Sequence, residues 1–330
     1  MAALLILGTN DDPHVARVAE LISRSEEVGV HILDYNDETS FSISLDQAGK
    51  AKITINGKEV TNYIVWDRRK IIPGTNFYIK GDDEHSGYVA QEWRSLYTLI
   101  CGISEGKVLN SLSSRTCLIK PYQQMVAMKS GFLTPPTIVT NDKRDATQFQ
   151  DDHNLVIMKS LSGAKIQTAG EGEYVPFNVM TMRIDPVDLH DASSAEIAYC
   201  PHFFQKEIVK KYELRVVHVD GEIWPFKVDS QNYKTTEVDW RKGTDVVGFS
   251  FFPIDPRLER MINDFMSSME MTFGSLDLII DHSDSCWFLE CNQDGAWGWL
   301  DDIVDGAASQ SFANALPRRM GLSDHMGPLQ

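Results

Sequence analysis

Phe288-Leu289-Glu290-Cys291-Asn292-Gln293-Asp294-Gly295-Ala296-Trp297 is the run that decides the fold of this 330-residue chain. Trp287–Glu290 has the apolar, aromatic character of a strand, and residues two apart on a strand share a face, so Glu290 and Asn292 point the same way. An earlier apolar segment, Leu276–Ile280, reads as another strand and carries Asp277 near its start. Two carboxylates and an amide oxygen on adjacent strands are hard ligands. They suit Mg²⁺ when a nucleotide's phosphates and water fill the other octahedral positions. Taken alone, an acid-x-Asn pair more often marks a solvated strand edge or the start of a turn.

Moving toward the N-terminus, Phe204-Gln205-Lys206-Glu207-Ile208-Val209 is followed at once by Tyr212-Glu213-Leu214-Arg215-Val216-Val217. A strand that breaks off and restarts can offer backbone N–H and C=O groups to an adenine edge. Glu213 and Arg215, two apart, face the same way, and Arg215 can clamp a phosphate or carboxylate bidentately or form a cross-strand salt bridge. Farther back, the strand Leu155–Lys159 ends in a lysine and runs into the small-residue loop Ser160–Gly163. A strand-end lysine beside backbone donors can hold nucleotide phosphates, although an edge lysine also discourages sheet pairing. No GxxxxGK[ST] and no strand-following GxGxxG occurs, so P-loop and dinucleotide-fingerprint folds are unsupported.

The remainder is an ordinary globular sequence. Hydrophobic residues make up 42% and charged residues 24%, which argues against disorder. The formal charge of −16 confines any polyanion to a local basic site and excludes a nucleic-acid-binding surface. Five cysteines without a CxxC fit reduced thiols, and no run approaches a membrane span or a signal peptide, so a cytoplasmic protein is expected. Leu4–Gly8 followed by apolar residues at helical spacing opens an α/β unit, 1–112, with hairpin turns expected at Asn56-Gly57 and Asp220-Gly221. A second unit, 113–201, begins with a helix over Lys120–Ser130 stopped by Gly131. A third, 202–330, is mostly antiparallel strands plus the helix Pro256–Met271.

Lys120, Lys159 with its Gly loop, the hinge strand Gln205–Val209, the acid-x-Arg strand and Asp277…Glu290-x-Asn292, in that order, resemble the ATP-grasp superfamily. The order is more specific than any of its parts. The resemblance implies an α/β and α+β fold of three domains, with the nucleotide cleft between the central and C-terminal ones. It further implies Lys120 and Lys159 on the phosphates beside Ser162 and Gly163, the backbone of Gln205, Glu207 and Ile208 on adenine, and Glu213 on the ribose. Asp277, Glu290 and Asn292 would carry Mg²⁺.

Within the superfamily the chain resembles the graspetide ligases, macrocyclases of the microviridin type, which close ester or amide links between side chains of a ribosomally made precursor peptide. The carriers are Val65-Trp66-Asp67-Arg68-Arg69, Glu92, Lys120 with Ala127, Gly131, Pro136-Thr137 and Thr140-Asn141-Asp142, Arg215 with Asp229-Ser230-Gln231, and a final run similar to the family's FLE-x-N-x-x-G-x-W. Gln293-Asp294 replaces the family's common Pro-Asn, and Asp67 stands where an aromatic is usual. The likeness implies an ADP-forming ligase in which Arg215 and Lys159 act on the reacting carboxylate and phosphate, with ATP and Mg²⁺ as cofactors. It also implies a precursor peptide with a leader and an acidic core, and a homodimer. Trp66, Arg68 and Arg69 fit a peptide-binding surface or subunit contact, or an arginine pair bridging the first domain's acids; Arg183 and Asp229 are further substrate-side candidates. A ligase joining a free amino acid or small acid to an amine is the alternative, and a non-catalytic nucleotide-binding regulator is another.

Overall fold

The computed structural model describes residues 2–24, 27–35, 37, 39–69, 86–116, 119–161, 165–168, 175–178 and 180–321. The expected loop residues Ser162 and Gly163 lie outside them.

The opening apolar run is β1 (Ala2–Leu7), buried along its whole length. Asp12 caps α1 (Pro13–Ser23), with Pro13 at the first helical position, where its missing N–H costs no hydrogen bond. The chain returns through β2 (Val28–Leu33), a meander of β3 (Phe41–Leu45), β4 (Ala51–Ile55) and β5 (Lys58–Val60), β6 (Tyr63–Asp67) and α2 (Ser86–Ile103). β1 lies between β2 and β6 in a parallel sheet. Both faces are covered, which is why β1 reads as continuous rather than alternating apolar sequence. Leu4 and Ile6 face α1 and the C-terminal helix, whereas Leu5 and Leu7 face α2 and the meander.

After α3 (Leu112–Thr116) and α4 (Lys120–Lys129), a central unit contains β7 (Thr137–Thr140), α5 (Lys143–Asp152), β8 (Val156–Lys159), β9 (Lys165–Thr168), β10 (Val175–Asn178), β11 (Met182–Arg183), α6 (Pro186–Asp191), α7 (Ser194–Ala198) and β12 (His202–Lys206). Its sheet runs β11-β8-β12-β7, and β9 pairs with β10 as a separate hairpin. Phe204 packs with Val156, Leu189 and Ile197 under α5–α7, while its neighbour Gln205 faces the opposite side.

The last sheet is antiparallel, in the order β15 (Phe249–Phe251), β14 (Glu222–Val228), β13 (Lys210–Val219), β16 (Phe273–Asp281), β17 (Cys286–Asn292). α8 (Pro256–Ser268) and α4 cover one face through Leu214, Val216, Ile262 and Phe265. The other face of β13 changes character along its length. Val217 and Val219 join the first unit's core, whereas Glu213 and Arg215 open onto a cleft. α9 (Gly298–Asp301) and α10 (Ala307–Arg319) then carry the chain back against α1.

Both expected hairpins form, with Asn56 and Gly57, and Asp220 and Gly221, at positive φ as a type I′ turn requires. The boundary at 202 does not match the sheets. β12 pairs with β7 and β8 in the central unit, and the break at Glu207–Val209 separates it from β13. Nor is 202–330 one unit, since Phe312, Ala313 and Leu316 of α10 pack into the first unit's core. A strand's own sequence does not say which of two sheets it completes.

Candidate active site

Strand register builds the centre of the site. Arg215 on β13 stands opposite Asp277 on β16, and Asp277 stands opposite Glu290 on β17, giving a row across three adjacent strands. Arg215 Nη1 donates to both Asp277 oxygens at 2.8 and 2.9 Å. Lys120 Nζ lies 3.4 Å from Glu290 Oε2, and Arg241 Nη1 lies 3.5 Å from Oε1. Asn292 Nδ2 is 3.4 Å from the same Oε1. All three expected metal ligands are therefore on one sheet face.

Burial opposes ionisation of both acids, and they respond differently. Glu290, with Lys120, Arg241 and Lys159 around it, is held at about 2 despite its burial. Asp277 is pushed up by burial and by the nearby Glu290 charge, against the pull of Arg215. Among the described residues no cluster of three His, Cys, Asp or Glu side chains is placed to hold a metal ion. A pair of carboxylates plus an amide, beside two lysines, is short of a closed cage and fits a Mg²⁺ that arrives with phosphate oxygens of its own.

Two cavities meet at this row. One, of about 290 Å³, runs between the central and C-terminal sheets and is lined by Lys159, Gln205, Glu207, Ile208, Lys210 and Glu213, among others. The second, of about 890 Å³, opens on the far side past Arg115, Gln123, Arg215, Asn292, Asp294 and Trp299. Lys120, Trp240, Arg241, Asp277 and Glu290 line both.

Of the expected nucleotide residues, Lys120, Lys159, Gln205, Glu207, Ile208 and Glu213 line the first cavity. Burial pulls the Lys159 ammonium down to about 8, with Lys120, Arg241 and Lys210 adding to the shift and Glu290 opposing it. Lys120 opens α4 and donates to Ser160 O at 3.1 Å. Gln205 is fully buried, and its Nε2 donates to Thr137 Oγ1. Its Oε1 has no partner, leaving an acceptor on the cavity wall. The N–H groups of Lys206 and Glu207 are taken by Pro136 O and Leu155 O, and Ile208 follows them on the cavity wall. Glu207's carboxylate takes Arg183 in a two-point pair at 2.7 Å. Glu213 pairs with Lys210 at 3.0 Å, and burial raises its carboxyl.

The expected substrate surface does not assemble. Trp66 is 3% exposed and Arg68 1%, both enclosed by the first unit's core. Arg68 Nε donates to Asp12, and its guanidinium lies over the rings of Trp66 and Trp297. That pairing makes a buried arginine tolerable and explains why it is not at the surface. Arg69 folds back on Asp67 and Thr98. Arg183 and Asp229 are absent from the described walls of both cavities; Asp229 pairs with Lys227 at 2.7 Å.

The final motif has a structural half. A Cβ on Gly295 would run into the Ser275 side chain and lie 3.0 Å from Arg215 Nη2, so only glycine lets this loop close over the sheet. Trp297 sits among Phe273, Phe312 and His14. His14 Nε2 accepts from the N–H groups of Trp297 and Gly298, which puts its proton on Nδ1, donated to Asp12. Sequence reasoning missed Asp12, His14, Lys210, Gln123 and the run Asp239-Trp240-Arg241. An acid-x-Arg pair flanking a tryptophan in a stretch without periodicity was the available signal for the last of these.

No protein-family model and no curated protein matches the chain. Among solved structures, the chain is similar to an RiPP-associated ATP-grasp ligase of Chryseobacterium gregarium in complex with ADP and a leader and core peptide. The two are 26% identical, the match covers 96% of this chain and 97% of that one, and the TM-score is 0.81. Macrocyclase MdnC of Microcystis aeruginosa MRC, bound with precursor peptide MdnA, is 21% identical over 96% and 100%, with a TM-score of 0.76. The ATP-grasp ligase PsnB, complexed with a phosphomimetic variant of a minimal precursor, Mg and ADP, is 17% identical over 96% and 98%, with a TM-score of 0.74.

Proposed function

We propose that this chain, whose fold is that of the ATP-grasp ligases, is an ADP-forming peptide macrocyclase. It joins side-chain carboxylates of a ribosomally made peptide to hydroxyls or amines of the same peptide. One observation carries this reading: the row Arg215–Asp277–Glu290 stands where two cavities meet, so phosphate held on one side and a carboxylate held on the other approach the same point.

In the first step an oxygen of the peptide carboxylate bonds to the γ-phosphorus of ATP as the bond to the β,γ-bridging oxygen breaks, leaving an acyl phosphate and ADP. In the second, a hydroxyl or amine bonds to the acyl carbon, phosphate departs with its oxygen, and the nucleophile's proton passes to phosphate or solvent. Both reactants of the first step are anions, so the site must offset their repulsion. Lys120 and Lys159 do so from the nucleotide side. Arg215, lining only the second cavity, does so from the peptide side. Ile208 N–H and the buried Gln205 Oε1 offer the adenine a donor and an acceptor, and Glu213 is the acid nearest the ribose in this reading. Mg²⁺ bound through Asp277, Glu290 and Asn292 would supply further charge neutralisation and orientation of the phosphates.

The partner is a peptide with a leader and an acidic core; the leader and core peptide on the Chryseobacterium gregarium ligase and the precursor peptide on MdnC support a peptide partner. The compartment is the cytoplasm, where such a peptide and ATP meet, and the assembly is a homodimer. Ile119, Tyr122, Met125 and Met128, exposed along one side of α4, are an apolar surface available for it.

The test is intact-mass spectrometry of an acidic peptide encoded beside this gene after incubation with the protein, ATP and Mg²⁺. Successive losses of one water, matched by ADP, are expected. An unchanged peptide, with ATP converted to ADP only when small acids and amines are supplied, overturns the reading.

A further inference from the structure

Between β14 and β15 the chain crosses the nucleotide cleft as a strap, residues 237–241. It touches both sheets. Arg183 at the edge of the central sheet lies 3.6 Å from Glu237 Oε2, and Thr181 N–H points at Asp239 Oδ2 at 3.4 Å. From the C-terminal sheet, Lys210 Nζ donates to Val238 O at 2.9 Å. Trp240 anchors the strap against Phe249 and Trp299.

Asp239 holds Arg241 at two points: Nε donates to Oδ1 and Nη2 to Oδ2, each at 2.8 Å. This two-point grip fixes the guanidinium plane and leaves Nη1 directed at the metal-side acid, 3.5 Å from Glu290 Oε1. That separation is outside good hydrogen-bond range, so the Nη1 donors are available to a better acceptor. Arg241 also lines both cavities. A phosphoryl group moving from nucleotide to peptide carboxylate has to cross that boundary.

We propose that Arg241 is a catalytic residue of this enzyme that contacts the phosphoryl group in transit, and that Asp239 is its positioning residue. Asp239 is also the atom-level link to the central sheet, through Thr181. The residue that aims Arg241 is thus also one that meets the central sheet, at 3.4 Å from Thr181 N. The inference rests on the phosphoryl-transfer reading above and adds to it a catalytic residue and the residue that aims it.

The test needs no peptide. ADP and Mg²⁺ are titrated into the full chain with and without fluoroaluminate, which with ADP imitates a phosphoryl group in transfer. Wild-type protein should bind ADP more tightly when fluoroaluminate is present. In Arg241→Ala that tightening should fall by about 100-fold, the scale for losing one transition-state donor, a much larger change than in ADP affinity alone. Added guanidinium should restore part of it. Asp239→Asn should lose the same increment and Asp239→Glu should recover some, a pattern that a general loosening of the fold would not give. Undiminished tightening in Arg241→Ala overturns the proposal. So does an equal loss of plain ADP binding, which would make Arg241 a ground-state phosphate ligand. If wild type binds ADP without any fluoroaluminate effect, phosphoryl transfer itself is refuted, and the role of Arg241 falls with it.

Discussion

Lys159 illustrates how one side chain's environment sets a measurable property of the site. Its ammonium, pulled down to about 8 by burial, is half charged near that pH, and a bound polyphosphate would favour the charged form. Nucleotide binding at pH 8 to 9 should therefore take up a proton, and affinity should fall as pH rises beyond about 8. Titration calorimetry in two buffers of different protonation enthalpy checks this; identical heats would refute it. Glu290 and Arg215 separate in a different way. Glu290→Gln removes a charge that stays ionised down to about 2 and should cut turnover by about 100-fold or more while the protein stays folded. Arg215→Ala, confined to the second cavity, should abolish acyl-phosphate formation with ATP affinity retained. Near-normal turnover in the first variant, or collapsed nucleotide binding in the second, would reassign the residue. Residues such as these were legible because a strand's period of two reveals which side chains share a face. Of the two readings open for Arg68 and Arg69, the pair bridging the first domain's acids is the one found, and sequence could not choose it because Asp12, which neutralises Arg68, lies 56 positions earlier, in a different element.

The elements that carry the site fall into two kinds. β13, β16 and β17 are strands, and the period of two places Glu213 with Arg215 and Glu290 with Asn292, whereas Asp277 is found by its place at the start of an apolar run. The strap 237–241 has no period; its residues are held by single long-range contacts to Thr181, Arg183 and Lys210, which a one-dimensional pattern cannot express. The loop after β17 lies between these cases. Gly295 stood out as a motif position, but its reason, the Ser275 side chain beneath it, is a matter of packing. Gly295→Ala should displace the loop and disturb Arg215, lowering both the melting temperature and activity. A variant with unaltered activity would mean that the loop tolerates the shift.

Across the whole molecule, the sheets of the three units are not independent bodies. The face of β13 that binds charge at Arg215 becomes, four residues on, part of the first unit's core at Val219. Trp297 fills the junction with Phe273, Phe312 and Trp66. Trp297→Ala should cost about 3–5 kcal/mol, as for other large aromatics removed from a core. A single cooperative thermal transition at lower temperature would confirm that the junction belongs to one folding unit, whereas an unshifted melt would refute it. The likeness of order along the chain made this architecture readable in outline. The return of α10 to the first sheet was not readable, since an amphipathic helix does not name its partner.

The seating of Trp297 also governs how such proteins can be recombined. The segment bearing Glu290 and Asn292 continues directly into a side chain sunk in another unit, and His14 grips its backbone from that unit's first helix. Transplanting residues 2–112 from a relative would therefore leave the loop after β17 without its socket unless Gly295–Gly298 and α10 travelled with the graft. The natural seam for building hybrid enzymes is this interlocked set of three segments, not the point where the chain passes from one sheet to the next.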